Sequence, residues 1–473
     1  MDLLERAAQV FGNSPALKFP DTTISFKELD IQSLGIANIL YEKGLRSGDI
    51  IAFVSPNTPE MVLLLAGVLK AGMIAAPLNN RFPEHILEAT IENLSPQLLL
   101  TSDNQLLGLP GLLTLRISSV LESAVRNTSA KKFEFSESME RPVSIIHTSA
   151  SSGAAKAVVH SCGNHWFSAL GSNENIPFGN GDCWLLSLPL YHIGGYALLF
   201  RSLFSGGTLA VGEFGDGIAD SMERFALTHI SVVPTQLYRV LAEKKCRKKL
   251  RRLKAVLLGG SPATKSLIED AIRQHIPLYL SYGSTEMSTQ IATSPQPITS
   301  IEQNSGRILP YREILVAVDG ELLVKGPCLF IGYYHQGKIQ VQTDGDGWFH
   351  TADIGSVEEN GTVTVVGRKD NMFISGGENI YPEETEKALM MIEGIRDALV
   401  VPAYDEEYGV RPVAYILTGE KNIPDDEAIT RAMHALVGKL KAPVRYIRVS
   451  EWITLPGSQK IDRAWYRTKA QKS

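Results

Sequence analysis

The chain has 473 residues, of which 44% are hydrophobic and 21% are charged. At roughly 150 residues per domain this length predicts two to four domains, and the composition is typical of a chain that buries a large core. Forty-six Lys and Arg against 51 Asp and Glu give a net charge of -5. These values exclude a disordered chain, a collagen-like chain and a globally basic nucleic-acid-binding protein. They leave open a local site for an anionic ligand.

The cysteines and the most apolar segments predict a cytoplasmic protein without a membrane span. The four cysteines lie far apart and form no CxxC pair, which argues against a structural zinc site or a disulfide framework and favours a reducing compartment. The N-terminus has early acidic residues and no uninterrupted apolar segment, so we expect no secretory signal. The segment Met61 to Leu78 is interrupted by Lys70 and Gly72 and predicts a buried helix followed by a buried strand.

Short apolar segments alternate with amphipathic segments between Ala37 and Leu280, which predicts one large α/β body with helices on both faces of its sheets. A basic segment, Glu243 to Lys254, precedes one of these strands. It is interpreted as a solvated helix face, with an anion-binding patch as the alternative. The predicted strands are Ile50 to Ser55, Val143 to Thr148, Trp184 to Leu190, Thr208 to Val211, Ile230 to Val233, Ala255 to Leu258 and Ile276 to Leu280.

After about Thr293 the pattern becomes that of antiparallel hairpins. Asp-Gly separates two β-rich segments in Glu313 to Val324, and Asn-Gly does so in Val357 to Gly367, which predicts a small antiparallel unit that closes off the large body. Beyond Arg368 we expect a compact α+β domain of about 100 residues. Its predicted elements are a helix (Glu383 to Ile392), strands (Ala398 to Pro402 and Val413 to Leu417), a helix (Asp425 to Leu440) and a strand (Tyr446 to Val449).

Two polar motifs follow apolar strands in the large body. The first is HTSASSGAAKAVVH, His147 to His160, whose small and hydroxyl residues would let backbone N–H groups approach a phosphate. The Walker pattern GxxxxGK[ST] is absent, and an ordinary surface turn is the alternative. The second is LSYGSTEMS, in which Thr285 and Glu286 suit phosphate and Mg²⁺ contact and Tyr282 could stack on a base. The start of a capped helix at Ser284 is the alternative.

Three more motifs lie nearer the C-terminus. The adjacent Gly376 and Gly377 permit close backbone approach at a hinge or ligand, or simply a tight turn. Lys460 lies in a polar loop, where a lone lysine is usually a surface residue. The motifs are GWFHTADIG (Gly347 to Gly355, with Asp353), GRKDNMFISGGENIYP (Gly367 to Pro382, with Arg368 and Asp370) and PGSQKIDR (Pro456 to Arg463).

All five motifs occur in the order and at the intervals of one family. On them the chain resembles the adenylate-forming superfamily, which contains acyl-CoA synthetases, peptide-synthetase adenylation domains and firefly luciferase, over nearly its whole length. The resemblance implies an α/β fold. A large N-terminal adenylation domain, residues 1–369, would contain two packed α/β subdomains and a β-rich subdomain, and a small mobile α+β C-terminal domain would span residues 370–473.

The resemblance also implies residue roles for ATP. A hydroxyl-rich loop would hold the β- and γ-phosphates, Tyr282 would pack against adenine, and Asp353 with Arg368 would hold the ribose hydroxyls. The family loop usually reads TSGTTGxPK, whereas this chain has Ala150 and Ala155 at the Gly and Pro positions, so we expect weaker ATP binding rather than loss of activity. The implied nucleotide-binding residues are Thr148, Ser149, Ser151, Ser152, Gly153, Lys156, Tyr282, Gly283, Ser284, Asp353 and Arg368.

The catalytic residues implied by the resemblance are Thr285, Glu286 and Lys460. Thr285 would contact the α-phosphate, Glu286 would bind Mg²⁺, and Lys460 would be required for adenylation. Asp370 matches the hinge about which the C-terminal domain rotates. Gly376 and Gly377 would face the pantetheine tunnel, so ATP, Mg²⁺ and CoA are the expected small molecules.

The segments Leu188 to Gly212 and Gly259 to Thr293 most resemble the o-succinylbenzoate–CoA ligases of menaquinone and phylloquinone biosynthesis. The resemblance places His192 and Arg201 in the acyl pocket. Arg201 would clamp one carboxylate of a dicarboxylic acid, or alternatively form a salt bridge or extend to the surface. The alternative activities are another aryl- or acyl-CoA synthetase, a loader of a carrier protein, and a non-catalytic relative. The implied substrate-binding residues are His192, Arg201, Gly259, Gly260 and Ser261.

Overall fold

The structure is a computed structural model that describes residues 2–102, 109–126, 138–148, 156–213, 215–261, 263–301, 304–375, 378–406, 408–419, 423–456 and 460–471. Among these residues, no helix is both long enough and apolar enough to cross a bilayer. The helices, in chain order, are α1 (Leu3–Phe11), α2 (Phe26–Glu42), α3 (Pro59–Lys70), α4 (Glu84–Leu94), α5 (Ile117–Arg126), α6 (Cys162–Asn175), α7 (Ile193–Ser205), α8 (Ile218–Arg224), α9 (Pro234–Ala242), α10 (Lys244–Leu250), α11 (Lys265–Arg273), α12 (Pro382–Leu389), α13 (Asp426–Lys441) and α14 (Arg463–Ala470).

The strands fall into a parallel-sheet region and a later, mostly antiparallel region. In chain order they are β1 (Pro15–Lys18), β2 (Thr23–Ser25), β3 (Ile50–Val54), β4 (Ile74–Leu78), β5 (Leu98–Thr101), β6 (Thr114–Arg116), β7 (Pro142–His147), β8 (Ala157–Ser161), β9 (Cys183–Leu185), β10 (Thr208–Ala210), β11 (His229–Val232), β12 (Ala255–Leu258), β13 (Leu278–Ser284), β14 (Thr289–Thr293), β15 (Arg307–Ile308), β16 (Glu313–Val316), β17 (Glu321–Lys325), β18 (Gly332–His335), β19 (Lys338–Gln340), β20 (Phe349–Val357), β21 (Val363–Arg368), β22 (Phe373–Ser375), β23 (Glu378–Ile380), β24 (Ile395–Asp405), β25 (Gly409–Thr418) and β26 (Arg445–Val449).

Two large sheets form the N-terminal body. One has the strand order β15-β14-β13-β12-β11-β9-β10-β1-β2, and the other has the order β19-β18-β8-β7-β4-β3-β5-β6. The central strands of both sheets are parallel, and β3 is buried along its whole length. Continuous burial is what a strand between two helical layers requires, and it explains the unbroken apolar sequence of β3.

The two large sheets pack through one shared apolar core. Ile51 and Phe53 of β3 lie in the same buried cluster as Trp184 of β9 and Leu209 of β10, together with residues of α1, α2, α3 and α7. The predicted helix–strand succession in Met61 to Leu78 is confirmed as α3 and β4. The predicted arrangement of two packed α/β subdomains is therefore confirmed.

The later part of the chain contains the predicted antiparallel unit and α+β unit. A sheet of order β16-β17-β20-β21 contains both predicted hairpins. Beyond it, β24, β25 and β26 form a separate sheet, and two apolar clusters consist only of residues from Ala388 onward. The predicted strand from Trp184 to Leu190 ends earlier, at Leu185, because the chain turns toward α7 after it.

Candidate active site

The base of the phosphate-loop motif lies between β7 and β8. The Thr148 N–H donates to the Lys156 carbonyl at 2.9 Å, and the Lys156 N–H donates to Thr148 Oγ1 at 3.2 Å. The Lys156 ammonium lies over the Tyr333 ring, 5.0 Å from its centre. The other predicted loop residues lie outside the described part of the chain, and so do the two substituted alanines. They are Ser149, Ala150, Ser151, Ser152, Gly153 and Ala155.

The second motif forms a hairpin rather than a helix. Beyond its parallel partner β12, strand β13 pairs with β14 in antiparallel register. The chain reverses in a turn that the Ser288 N–H closes by donating to the Thr285 carbonyl at 3.1 Å. A Cβ on Gly283 would lie 1.9 Å from the Thr289 carbonyl oxygen, so only glycine fits there. The helix alternative at Ser284 is wrong because the turn leads directly into a second strand.

The Glu286 carboxylate lies beside β18. The Tyr333 hydroxyl donates to Glu286 Oε1 at 2.8 Å, and the Phe330 N–H donates to the Glu286 carbonyl at 2.8 Å. Tyr333 therefore contacts both Glu286 and Lys156. Within the described ranges, no group of three or more His, Cys, Asp or Glu residues could hold a metal ion. A single carboxylate supplemented by substrate phosphates is the usual protein contribution to a Mg²⁺ site, so Glu286 fits that ion.

A buried histidine fixes the backbone of this turn. His160 Nε2 lies 2.7 Å from the Thr285 carbonyl oxygen, and Ser144 Oγ lies 3.4 Å from His160 Nδ1 and 2.8 Å from His165 Nε2. Because a carbonyl only accepts, His160 carries its proton on Nε2. Burial lowers the pKa of His160 to about 4, so the imidazole is neutral at physiological pH.

The third and fourth motifs meet at one buried carboxylate. The Tyr282 hydroxyl donates to Asp353 Oδ2 at 2.7 Å, and Arg368 Nη1 donates to Asp353 Oδ1 at 3.0 Å. Burial raises the pKa of Asp353, whereas the Tyr282 hydroxyl and the Arg368 charge lower it. The backbone immediately before the carboxylate is strained, since Ala352 has a φ of 59°. The structure thus brings the predicted adenine and ribose residues into one cluster.

The predicted hinge follows this cluster directly. Arg368 Nη2 donates to Asp370 Oδ2 at 2.7 Å. Lys369 forms ion pairs with Asp319 at 2.6 Å and Glu321 at 3.0 Å, so the residue before Asp370 is held against the turn between β16 and β17. Gly376 and Gly377 lie outside the described residues.

Lys460 reaches the cluster from the C-terminal part of the chain. The Leu455 N–H donates to the Lys460 carbonyl at 2.9 Å, and Thr454 pairs with Ile461 in antiparallel register, so Lys460 lies at the end of a narrow hairpin. Burial lowers the pKa of Lys460, Arg368 lowers it further, and Glu286 raises it. The Lys460 ammonium therefore lies within electrostatic range of Arg368 and Glu286.

The N-terminus of α7 lies within electrostatic range of Lys460. His192 precedes α7, and burial lowers its pKa to about 4, with Lys460 and Arg81 acting in the same direction. The imidazole is therefore neutral. Because an α-helix rises about 1.5 Å per residue, Arg201 lies roughly 13 Å from His192 along the axis of α7.

Arg201 is buried with a neutral partner. Its side chain is 5% exposed, its Nη2 donates to Gln290 Oε1, and its guanidinium lies 4.9 Å from the centre of the Trp184 ring. Nη1 is buried without a hydrogen-bond partner. The surface alternative is therefore wrong, and no Asp or Glu among the described residues forms the salt bridge of the other alternative. Burial and Arg312 lower the pKa of Arg201 to about 9, as expected of a cation with no anion beside it.

Comparison with known proteins identifies the family. The model of the AMP-binding enzyme family matches residues 4–334. The chain belongs to the AMP-binding enzyme family. It is 33% identical to the 2-succinylbenzoate–CoA ligase of Salmonella typhimurium over 96% of this chain and 93% of that one.

Solved structures show that the similarity extends beyond the matched family region to nearly the whole chain. The o-succinylbenzoate CoA synthetase of Bacillus subtilis in complex with the acyl-adenylate OSB-AMP superimposes with a TM-score of 0.85 at 28% identity, covering 98% of each chain. The same synthetase in complex with ATP and a magnesium ion superimposes with a TM-score of 0.84, also at 28% identity and 98% of each chain. The predicted adenylate-forming fold is confirmed.

In this AMP-binding enzyme the remaining predicted pocket residues lie at the carboxyl end of β12. Gly260 has a φ of 86°, and a Cβ on Gly259 would lie 3.7 Å from Ser281. Ser261 is exposed at the same edge. The carboxyl ends of parallel strands are where α/β proteins bind ligands, so this placement suits a pocket wall.

Sequence reasoning missed Tyr333, Gln290 and the role of His160. Tyr333 belongs to no polar motif, and only the pairing of β18 with β8 brings it to Glu286. Gln290 lies opposite Gly283 in the antiparallel register of β13 and β14, a pairing that the sequence does not report. His160 ends the first motif, but nothing in its sequence neighbourhood indicates a bond to Thr285.

Proposed function

We propose that the protein is an ATP-dependent acid–thiol ligase that activates 2-succinylbenzoate as an acyl-adenylate and transfers it to CoA. The observation that carries the substrate assignment is Arg201, a buried cation with a neutral partner and an unpartnered Nη1. Sequence similarity to 2-succinylbenzoate–CoA ligases over 96% of the chain supports the same assignment. The proposed partners are therefore small molecules: a carboxylic acid, ATP and CoA.

The first half-reaction joins two anions. A carboxylate oxygen of the acid attacks the α-phosphorus of ATP, the bond to pyrophosphate breaks, and an acyl-adenylate forms. Lys460 and the Thr285 hydroxyl would stabilise the charge that develops on the α-phosphate oxygens. Glu286 would hold Mg²⁺, which when bound offsets the repulsion between the carboxylate and the phosphates. Asp353 and Arg368 would fix the ribose, and Tyr282 the adenine.

The loop between β7 and β8 would position the phosphates of ATP. Thr148, Lys156 and the intervening residues would hold the β- and γ-phosphates, with Gly283 and Ser284 forming the adjoining wall. Lys156 lies over the Tyr333 ring, whose hydroxyl is bonded to Glu286. This arrangement supports a cation and a metal-binding carboxylate that approach the phosphates from the same side.

The second half-reaction uses a rotated C-terminal domain, proposed to comprise residues 370–473. Rotation about Asp370 would withdraw Lys460 and bring Gly376 and Gly377 to the tunnel through which CoA enters. The thiol sulfur then attacks the acyl carbonyl, the bond to AMP breaks, and the thioester is released with a proton. Movement of a domain between two half-reactions is an established gating device in enzymes.

The acyl pocket would extend along α7. His192 is neutral and would line the end near the adenylate, while Gly259, Gly260 and Ser261 would leave room for the aromatic ring. Arg201 Nη1 would donate to the second, non-reacting carboxylate of the acid. A monocarboxylic acid leaves this cation without an anion, which makes Arg201 the proposed source of selectivity.

One experiment tests the proposal. Pyrophosphate release and then CoA-dependent AMP release are measured for 2-succinylbenzoate, benzoate and a fatty acid under identical conditions. We expect both products to form fastest with 2-succinylbenzoate. Equal or higher turnover with benzoate or the fatty acid would instead indicate another aryl- or acyl-CoA synthetase, and pyrophosphate release without AMP release to CoA would indicate a carrier-protein loader.

We also propose a cytoplasmic location. The four cysteines are free and buried, as is usual in a reducing compartment. Fractionation of cells that express the protein would check the location, with enzyme activity in the cytosolic fraction as the expected result.

A further inference from the structure

A contact far from the cleft joins the C-terminal part of the chain to the large body. Arg396 Nη2 donates to the Tyr238 hydroxyl at 3.0 Å, and the guanidinium lies 5.4 Å from the centre of the Tyr238 ring. Tyr238 is on α9 and is 54% exposed, although it is a large aromatic side chain. Arg396 lies near the start of β24. The pair therefore connects two units that have separate apolar cores.

The residue after Arg396 supports the hairpin that carries Lys460. Trp452 Nε1 donates to Asp397 Oδ2 at 2.7 Å. The chain then enters the hairpin, where the Ile453 N–H donates to the Tyr466 hydroxyl at 3.0 Å and the Ile453 carbonyl accepts from the N–H that follows Ile461 at 2.9 Å. The segment that contacts Tyr238 is thus bonded directly to the base of the Lys460 hairpin.

A second hydrogen bond across the same boundary lies close to the predicted hinge. Lys387 Nζ on α12 donates to the Val365 carbonyl on β21 at 2.7 Å. Because β21 ends at Arg368, two residues before Asp370, this contact is near the pivot along the chain. The Tyr238–Arg396 contact is formed by elements that are remote from the pivot in sequence. A rotation about Asp370 is therefore opposed by this contact more than by a contact next to the pivot.

We propose that Tyr238 and Arg396 are positioning residues for adenylation. Their contact holds the C-terminal unit in the orientation in which the Lys460 ammonium interacts electrostatically with Glu286 and Arg368, and the contact breaks when the unit rotates for thiol transfer. The inference rests on the proposed function. A cation–π and hydrogen-bonded contact on an exposed surface shifts such an equilibrium by roughly three- to tenfold.

The test measures the ratio of the two half-reaction rates. Adenylation is followed as pyrophosphate release from ATP, Mg²⁺ and 2-succinylbenzoate without CoA, and thiol transfer is followed from pre-made acyl-adenylate with CoA. Loss of the contact lowers the first rate or raises the second, depending on which orientation predominates. The ratio of adenylation to thiol transfer is therefore expected to fall roughly three- to tenfold in Tyr238→Ala and in Arg396→Ala.

Two controls make the result specific. The double variant Tyr238→Ala/Arg396→Ala is expected to show the same ratio as either single variant, since both remove one contact. Tyr404→Ala changes another exposed tyrosine on β24 and is expected to leave the ratio unchanged. A variant that is partly unfolded loses both rates by the same factor, so its ratio of adenylation to thiol transfer does not change.

The outcomes separate the inference from the proposed function. An unchanged ratio in both single variants, an equal fall of both rates, or additive effects in the double variant would overturn the positioning role. Wild-type enzyme that releases no pyrophosphate with 2-succinylbenzoate would instead overturn the proposed function on which the inference rests.

Discussion

Arg201 donates its hydrogen bond to the side-chain amide of Gln290, so a buried guanidinium is held by a neutral group. Gln290 Oε1 also accepts from Ser172 Oγ at 2.9 Å, and its Nε2 donates to Thr293 Oγ1 at 2.7 Å. The amide is therefore fixed from three sides. A buried charge normally has a charged partner, and Arg201 has none among the described residues, which is why we propose that its partner is the anionic substrate.

Replacing Gln290 by Glu should weaken selection of the dicarboxylic acid. The new carboxylate would pair with Arg201 and compete with the second carboxylate of the substrate, and charge-assisted bonds of this kind are worth about 1.5–3 kcal/mol. We expect the KM for 2-succinylbenzoate to rise roughly ten- to hundredfold, with little change for benzoate. Steady-state kinetics with both acids measure this. Gln340→Glu adds the same charge at an exposed site on β19 and should change neither KM.

Replacing Arg201 by Leu should also raise the KM for the dicarboxylic acid selectively, and by a larger factor than the Gln290 variant does. The substitution removes the cation but keeps an apolar side chain beside Trp184. The KM for 2-succinylbenzoate should rise by roughly a hundredfold or more, and that for a monocarboxylic acid far less. Parallel increases for both acids would show that Arg201 has only a structural role.

Replacing Lys460 by Ala should separate the two half-reactions. The ammonium lies within electrostatic range of Glu286 and Arg368, where we expect it to stabilise charge on the α-phosphate. Removal of one such group typically costs about a hundred- to a thousandfold in rate. Pyrophosphate release should fall by that factor, whereas thioester formation from pre-made acyl-adenylate should continue. Loss of both rates would contradict the assignment.

The sequence predicted the elements that depend on local pattern. The buried strand at Ala255 to Leu258 and the hairpin in Glu313 to Val324 are confirmed because apolar continuity and an Asp-Gly turn are local signals. The Thr285 turn was open between a phosphate site and a helix start, since the same side chains suit both. Antiparallel pairing with β14 excludes the helix start, and no residue near Thr285 reports that pairing.

The parts of the site that the sequence missed depend on contacts between distant segments. Tyr333 and His160 contact Glu286 and Thr285 from 47 and 125 residues away along the chain. Periodicity and motif spacing contain no information about such pairs. The buried environment of Arg201 was equally hidden, because whether a basic residue on an apolar helix meets an acid or an amide depends on the neighbouring strand.

Replacing His160 should impair adenylation through Thr285. Leucine removes the donor to the Thr285 carbonyl and leaves a buried acceptor without a partner, whereas glutamine retains an N–H donor. We expect kcat for pyrophosphate release to fall roughly tenfold in His160→Leu and to recover largely in His160→Gln, with the KM for the acid unchanged in both. Similar losses in the two variants would show that the Thr285 bond is not the reason for the effect.

Stability should decrease as the pH falls below the pKa of an unfolded histidine. Burial lowers the pKa of His160 and His229 to about 4 and that of His165 well below its usual range. Between about pH 4 and 6.5 the unfolded chain therefore binds more protons than the folded one. The free energy of unfolding consequently rises with pH in this window and decreases as the pH falls through it.

Each histidine that stays neutral only in the folded state contributes a slope of up to about 1.4 kcal/mol per pH unit. Urea unfolding of the wild type between about pH 5 and 7 should show the summed slope. In His160→Gln the slope should be smaller by approximately the contribution of one histidine, because glutamine does not titrate. His85→Gln, at an exposed position on α4, is the matched control. An equal reduction in both variants would mean that burial of His160 does not cause the pH dependence.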